Sequence, residues 1–230
     1  MQRVLGKRVI RDLKQNLFRY LALGLMITMG IFLVVSIVGD AETMTSGTLA
    51  LASETRLEDG EFKVFMPLSD ADTEEISELG FETEELFYFD HQMDDEDKST
   101  LRIFKIRKNI NRVHYISGAE PVDDNEAVLE KRYAEEHGLT VGDSIEIAGK
   151  TYRISGIGVV SDYDGPQKEY SDTSCNSRTF GLVFMTDAAY EAYKTSGKAQ
   201  KAEEYLYAYR STESKPDKEL KDFLKDLKIT

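Results

Sequence analysis

Two acidic clusters are the first places where this sequence could do chemistry. His91 is followed closely by Asp94, Asp95, Glu96 and Asp97, and farther along Asp162, Asp164 and Asp172 surround a Gly165-Pro166 turn. A hard cation needs several oxygens converging on one point. The Asp162-x-Asp164-Gly165 order matches the opening of a calcium loop, but the later ligand spacing and the closing glutamate are missing, and Pro166 comes too soon. The simpler account is a solvated hairpin tip for the first cluster and a structural turn for the second, so no metal ligand is assigned. His91, His114 and His137 are scattered and read as surface or edge residues. Cys175 is the only cysteine, which rules out an intrachain disulfide. It reads as a small buried or half-exposed residue, because a reactive thiol needs a base or cation beside it and the sequence places none there.

The catalytic and cofactor motifs are absent. There is no G-x-x-x-x-G-K-[ST] phosphate loop. Gly156-Ile157-Gly158 has Ser161 where a dinucleotide loop has its third glycine. No G-x-S-x-G elbow occurs, and Glu135-Glu136-His137 is not a metalloprotease motif. No catalytic residue and no cofactor is therefore expected. Tyr88, Phe89, Tyr205, Tyr207 and Tyr209 fall in predicted strands, where core packing accounts for them.

The elements that hold these residues mix strands and helices. Glu61–Met66 alternates like a half-buried strand and Pro67 ends it. Ser69 or Asp70 caps a short helix that Gly80 terminates. Phe81–Asp90 reads as one long strand. It pairs with Thr100–Arg107 as an antiparallel hairpin around the acidic turn. Ala127–Leu129 is a short strand, Glu130–His137 a two-turn helix, and Gly138 its left-handed cap. Ser144–Ile147 and Thr151–Ile154 form a hairpin whose Ile145, Ile147, Tyr152 and Ile154 share a buried face. Gly156 and Gly158 allow a bend or bulge. Thr179–Met185 is apolar enough for a central strand, followed by a helix capped at Thr186 or Asp187. Glu204–Arg210 is a further strand, and a helix runs from Pro216 to Leu227. The pattern is that of an α+β domain, mainly antiparallel.

The charge is polarised. Of a net −13, residues 1–19 carry +5 and the rest −18. Nothing after residue 40 resembles the basic stripe that a nucleic acid requires. Tyr20–Gly39 holds no charged residue and, as a helix, spans roughly 30 Å, the thickness of a bilayer's hydrocarbon core. Six basic residues precede it, and Asp40 and Glu42 follow it. The positive-inside bias then keeps the N-terminus cytoplasmic and residues 40–230 outside. A cleaved signal peptide is the rival reading, but the apolar core is long and no small-x-small site closes it. The expected divisions are a basic amphipathic segment at 1–19, a transmembrane helix at 20–39, a stalk or helical extension at 40–60, and an extracytoplasmic α+β domain at 61–230.

A basic pre-helix, one membrane span and a large external α+β domain resemble the FtsX/MacB-like ABC transporter permeases. Glu126–Ile157, with its Gly138-Leu139-Thr140-Val141-Gly142-Asp143 turn and Gly149-Lys150 hairpin, is similar to a pattern in their external, MacB-like periplasmic core domains. Asp162-Tyr163 to Pro166, Phe180-Gly181 and Phe184-Met185-Thr186 resemble the large Gram-positive members. The resemblance implies a cytoplasmic ATP-binding subunit as partner, a second permease copy, and an external domain that relays ATP-driven motion for efflux or extracytoplasmic release. It implies no enzyme activity in this chain, since hydrolysis would lie in the separate subunit. It also implies further membrane spans and an ATPase-gripping loop that this sequence does not contain, so a fragment or truncated product is expected. The alternative is a single-pass anchored sensor or ligand-binding protein.

Overall fold

The computed structural model describes residues 11, 14–163, 165, 167–168, 171–172, 174–212 and 218–226. It divides into two units, Met1–Ala50 and Leu51–Thr230. Residues 1–10, 12 and 13 of the amphipathic segment expected at 1–19, together with Asp164, Pro166 and the ends of the last predicted helix, lie outside the described residues.

The first unit is dominated by helix α1, Leu17–Thr55, whose last five residues belong to the second. Between Tyr20 and Gly39 its side chains are exposed except for half-buried Ser36. A helix that is apolar all round has no stable face toward water. This one is long and apolar enough to cross a membrane. Within it the Thr28 hydroxyl donates to the Gly24 carbonyl at 2.8 Å, a bond that would satisfy it in a low-dielectric surrounding. Residues 40–55 remain helical.

The second unit holds two sheets. The smaller is antiparallel, in the order β1 (Gly60–Val64), β10 (Tyr205–Ser211), β2 (Phe81–Glu85). The larger runs β3 (Tyr88–Gln92), β4 (Thr100–Lys105), β9 (Phe180–Met185), β6 (Glu126–Glu130), β8 (Lys150–Val159), β5 (His114–Gly118). β7 (Ser144–Ile147) pairs with the first half of β8. Among the described strands only β4–β9 and β6–β8 are parallel. The architecture is mixed α+β.

Every residue of β9 is buried, as suits a strand paired on both edges and covered on both faces. Alternation divides the core. Leu101, Ile103, Ala127, Leu129, Val183 and Met185 face one side, whereas Phe104, Val128, Leu182 and Phe184 face the other. Among the described residues four short helices complete the unit: α2 (Asp70–Glu78), α3 (Lys131–Glu136), α4 (Asp187–Thr195) and α5 (Lys218–Asp226). Ser69 and Asp72 form a capping box on α2, and Thr186 caps α4 by accepting from the Ala189 amide. Glu130 caps α3, accepting from the Arg132 and Tyr133 amides, and Gly138 follows at φ +63.

Three sequence expectations need correction, and one strand has no counterpart among them. Phe81–Asp90 is two strands in different sheets, broken at Leu86-Phe87. There the Leu86 amide donates to the Leu206 carbonyl, and Tyr88 bonds with Glu204, so the strand changes sheets beside the start of β10. The strand expected over Thr100–Arg107 ends at Lys105, and both Arg102 within it and Arg107 beyond it are buried. β5 carries no apolar alternation in the sequence. Finally, β8 runs on to Val159 with a register shift at Ser155. Gly156 and Gly158 serve that extension: a Cβ on Gly156 would lie 2.6 Å from the Ala119 carbonyl, and one on Gly158 2.8 Å from that of His114.

Candidate coupling site at the helix root

A helix ends with four carbonyls that have no helical partner. In α1 all four are bonded. Arg56 takes the left-handed conformation, φ +56. Its amide then donates to the Ser53 carbonyl at 3.3 Å and the Leu57 amide to that of Ala52 at 2.8 Å, the pair that defines a Schellman cap. The remaining two go to one residue of the β4–β5 connection: Arg112 donates its Nη2 to the Glu54 carbonyl at 2.6 Å and its amide to the Thr55 carbonyl at 2.9 Å.

Side chains reinforce this root from several elements. The Thr55 hydroxyl is buried and shares a 2.6 Å hydrogen bond with that of Ser161. Glu54 pairs with His114 Nδ1 on β5 at 2.8 Å. Arg56 forks onto Glu82 of β2 at 2.6 and 3.2 Å. The Asp59 amide donates to the Tyr209 carbonyl and its carboxylate accepts from the Ser211 amide, while Arg210 donates to the Leu57 carbonyl. The receiving loop is itself fixed, because the Glu84 carboxylate accepts the amides of Lys108, Asn109 and Ile110.

Behind the root lies a buried charged layer. Arg107, 1% exposed, donates Nη1 to both carboxylate oxygens of Asp162 at 2.7 Å and to the Asn111 carbonyl at 3.3 Å. Its Nε and Nη2 have no hydrogen-bond acceptor among the described residues; its guanidinium lies over the Phe104 and Phe184 rings at 4.5 and 5.3 Å, an arrangement that stabilises a cation without lone pairs. Arg102 grips Asp90 through Nε and Nη2 at 2.8 and 3.0 Å, and its Nη1 donates to the Tyr163 hydroxyl. Fully buried Asn111 makes a two-point clip with Glu58: its Oδ1 accepts the Glu58 amide at 3.0 Å and its Nδ2 donates to Glu58 Oε2 at 2.7 Å.

A cleft of about 620 Å³ opens beside this layer, lined by Glu58, Glu61, Phe62, Tyr88, Asp162 and Tyr163 among others. Burial, then the Asp162 charge, pushes the Glu58 carboxyl up to about 7, against the opposing pull of Asn111. Glu61 is raised by the same two causes. Burial also pushes the Tyr163 hydroxyl up to about 12.

No family model and no curated protein sequence matches this chain. Among solved structures it is similar to the periplasmic region of MacB from Actinobacillus actinomycetemcomitans, at 9% identity and a TM-score of 0.41, over 73% of this chain and 81% of that one. It is also similar to the extracellular domain of the noncanonic ABC-type transporter YknZ from Gram-positive bacteria, at 11% identity and a TM-score of 0.36, over 71% and 86%.

The sequence-selected chemistry is dispersed. Asp95 accepts from Ser99 and Asp97 pairs with Arg178, so the acidic turn is occupied with its own folding. Asp162 is the counter-ion of Arg107. Among the described residues no group of three or more histidine, cysteine or acidic residues converges as a metal site would. His91 is buried rather than at the surface, sharing a 2.9 Å bond with the Tyr193 hydroxyl. His137 stacks on Tyr133 at 4.1 Å. Cys175 is exposed, with Arg132 Nη1 3.4 Å from its sulfur. The residues that build the helix root, Glu58, Asn111 and Arg112, were not singled out by sequence. The one available signal was a pair of arginines inside an otherwise apolar strand region, which must find counter-ions if buried.

Proposed function

We propose that this chain is the first membrane span and external domain of an ABC transporter permease, and that the domain moves as one body with the root of α1. The observation that carries this reading is the complete bonding of the last four α1 carbonyls, two by the cap and two by Arg112. A tether needs no such joint; a lever does. The uncharged Tyr20–Gly39 stretch with its basic flank supports anchoring with the domain outside the cell, and the Glu126–Ile157 pattern supports the family. A cytoplasmic ATP-binding subunit would supply hydrolysis, and a second permease copy would complete the unit, serving efflux or extracytoplasmic release. The test is co-purification of the full-length protein with its candidate ATPase from membranes. A stable complex in which nucleotide alters exchange protection around Leu51–Asp59 is expected. Failure to associate, with both partners folded, would overturn the reading.

The cleft of about 620 Å³ favours a second reading, a single-pass anchored protein that binds a ligand with this domain. It predicts that no ATPase co-purifies.

A further inference from the structure

Glu58 occupies an unusual position. It lies on the short connection between α1 and β1, and its carboxyl and amide are both held by one buried side chain, Asn111. Asn111 in turn donates its amide to the Arg56 carbonyl at 3.1 Å. Arg56 and Glu58, on either side of Leu57 after the Schellman cap, are thus both bonded to Asn111.

The charges around that carboxyl are unbalanced. Asp162 faces it from the turn after β8 and Glu61 from β1, and the nearby cation, Arg107, already gives its Nη1 to both oxygens of Asp162. Arg102, on the cleft wall, is committed to Asp90 and Tyr163. Lys63 is paired with Glu204, and Lys168 donates to the Thr100 hydroxyl. On the outer side, Arg56 is taken by Glu82 and Arg210 by a main-chain carbonyl. Arg107 keeps Nε and Nη2 unbonded among the described residues, but its single positive charge is already matched by Asp162, so ionising Glu58 leaves the group of Glu58, Asp162, Glu61 and Arg107 net negative. The cleft gives water, and hence protons, a route to the carboxyl.

We propose that Glu58 is a proton-operated latch: neutral, it holds the Asn111 clip closed and the helix root firm; ionised, it is driven toward the cleft by Asp162 and Glu61, and the connection after α1 loosens. The upward push on Glu58, to about 7, puts the change in the neutral range. The sign follows from desolvation and then repulsion, which penalise the charged form and outweigh the Asn111 bond and the Arg107 charge that favour it. The latch draws its consequence from the coupling reading, since a loosened root transmits less motion, but its test needs no partner subunit.

The experiment is hydrogen exchange on the full chain in lipid nanodiscs at pH 6 and pH 8, corrected for the intrinsic pH dependence of exchange. The reporters are the amides of Glu58 and Asn111. Roughly tenfold lower protection at pH 8 is expected, well short of the full shift because the group is only partly buried. Glu58→Gln, which keeps an acceptor for Asn111, should remain protected at both pH values. Glu61→Gln, at the exposed rim, removes one of the charges that raise Glu58, so the loss of protection between pH 6 and pH 8 should be smaller than in the wild type. Equal protection at both pH values in the wild type would overturn the latch, as would an unchanged pH response in Glu58→Gln. Either result leaves the ATPase co-purification free to succeed or fail by itself.

Discussion

At the scale of single residues, the buried ion pairs dominate. Arg102 and Asp90 are 8% exposed each at their side chains and bonded twice. Such a pair contributes little net stability compared with an apolar substitute, yet removing one partner strands the other. Asp90→Ala should therefore lower unfolding stability by about 3–5 kcal/mol, read as a drop in denaturant midpoint at unchanged slope. Gly181 carries a different constraint: a Cβ there would stand 2.4 Å from the Tyr133 ring, and that ring is held by a 2.9 Å bond to Ser99. Gly181→Ala should cost about 1–3 kcal/mol through overpacking, visible as a lower thermal midpoint. Neither pair was legible in the sequence. Arg102 and Lys105 look like the polar half of an alternating strand, and only the partners Asp90 and Tyr163, from two other segments, show that Arg102 turns inward. Asp162 invited a cation reading for the same reason: its counter-ion, Arg107, is 55 positions away.

At the scale of elements, local chemistry was readable and long-range pairing was not. The hairpin of β7 and β8 shows strict alternation with Ile145, Ile147, Tyr152 and Ile154 buried, and Thr186 marks the start of α4 by its side chain alone. Phe81–Asp90 looked continuous because no glycine or proline interrupts it; the break comes from pairing with β10, over a hundred positions later. β5 escaped because an exposed edge strand needs no apolar pattern. The end of α1 illustrates how competing effects decide a prediction. Holding Arg56 in the left-handed region costs about 1–2 kcal/mol relative to glycine, while its half-exposed pair with Glu82 returns at most about 1. Arg56→Gly should thus be neutral or stabilising by up to about 1 kcal/mol, checked by chemical denaturation. Arg112→Ala should behave oppositely, freeing the Glu54 carbonyl and speeding amide exchange at Arg56 and Leu57 while β9 stays protected.

At the scale of the whole molecule, stability should peak on the acid side of neutrality. Glu58 is raised to about 7 in the fold by burial, then Asp162. The folded state therefore keeps a proton that the unfolded chain releases from about pH 4.3 upward, and stability falls as pH rises through that window. Asp72 and Asp143 are lowered by hydrogen bonds from Ser69 and Thr140, so stability also falls once pH drops through their range. A thermal-unfolding series should show a maximum between these limits, with the neutral-side decline reduced in Glu58→Gln. The apolar helix and the α+β class were both legible because each depends on composition and period alone.

The proposed coupling requires that the end of α1, Leu51–Thr55, be firmly bonded within the second unit. The most direct measurement is residue-resolved hydrogen exchange on the full chain, comparing the Leu57 and Arg112 amides with those of β9 and of exposed residues 40–50. A firm joint predicts that Leu57 and Arg112, bonded to the Ala52 and Thr55 carbonyls, exchange at acid pH as slowly as the core strand. Exchange at the fraying rates of a free helix end would contradict it.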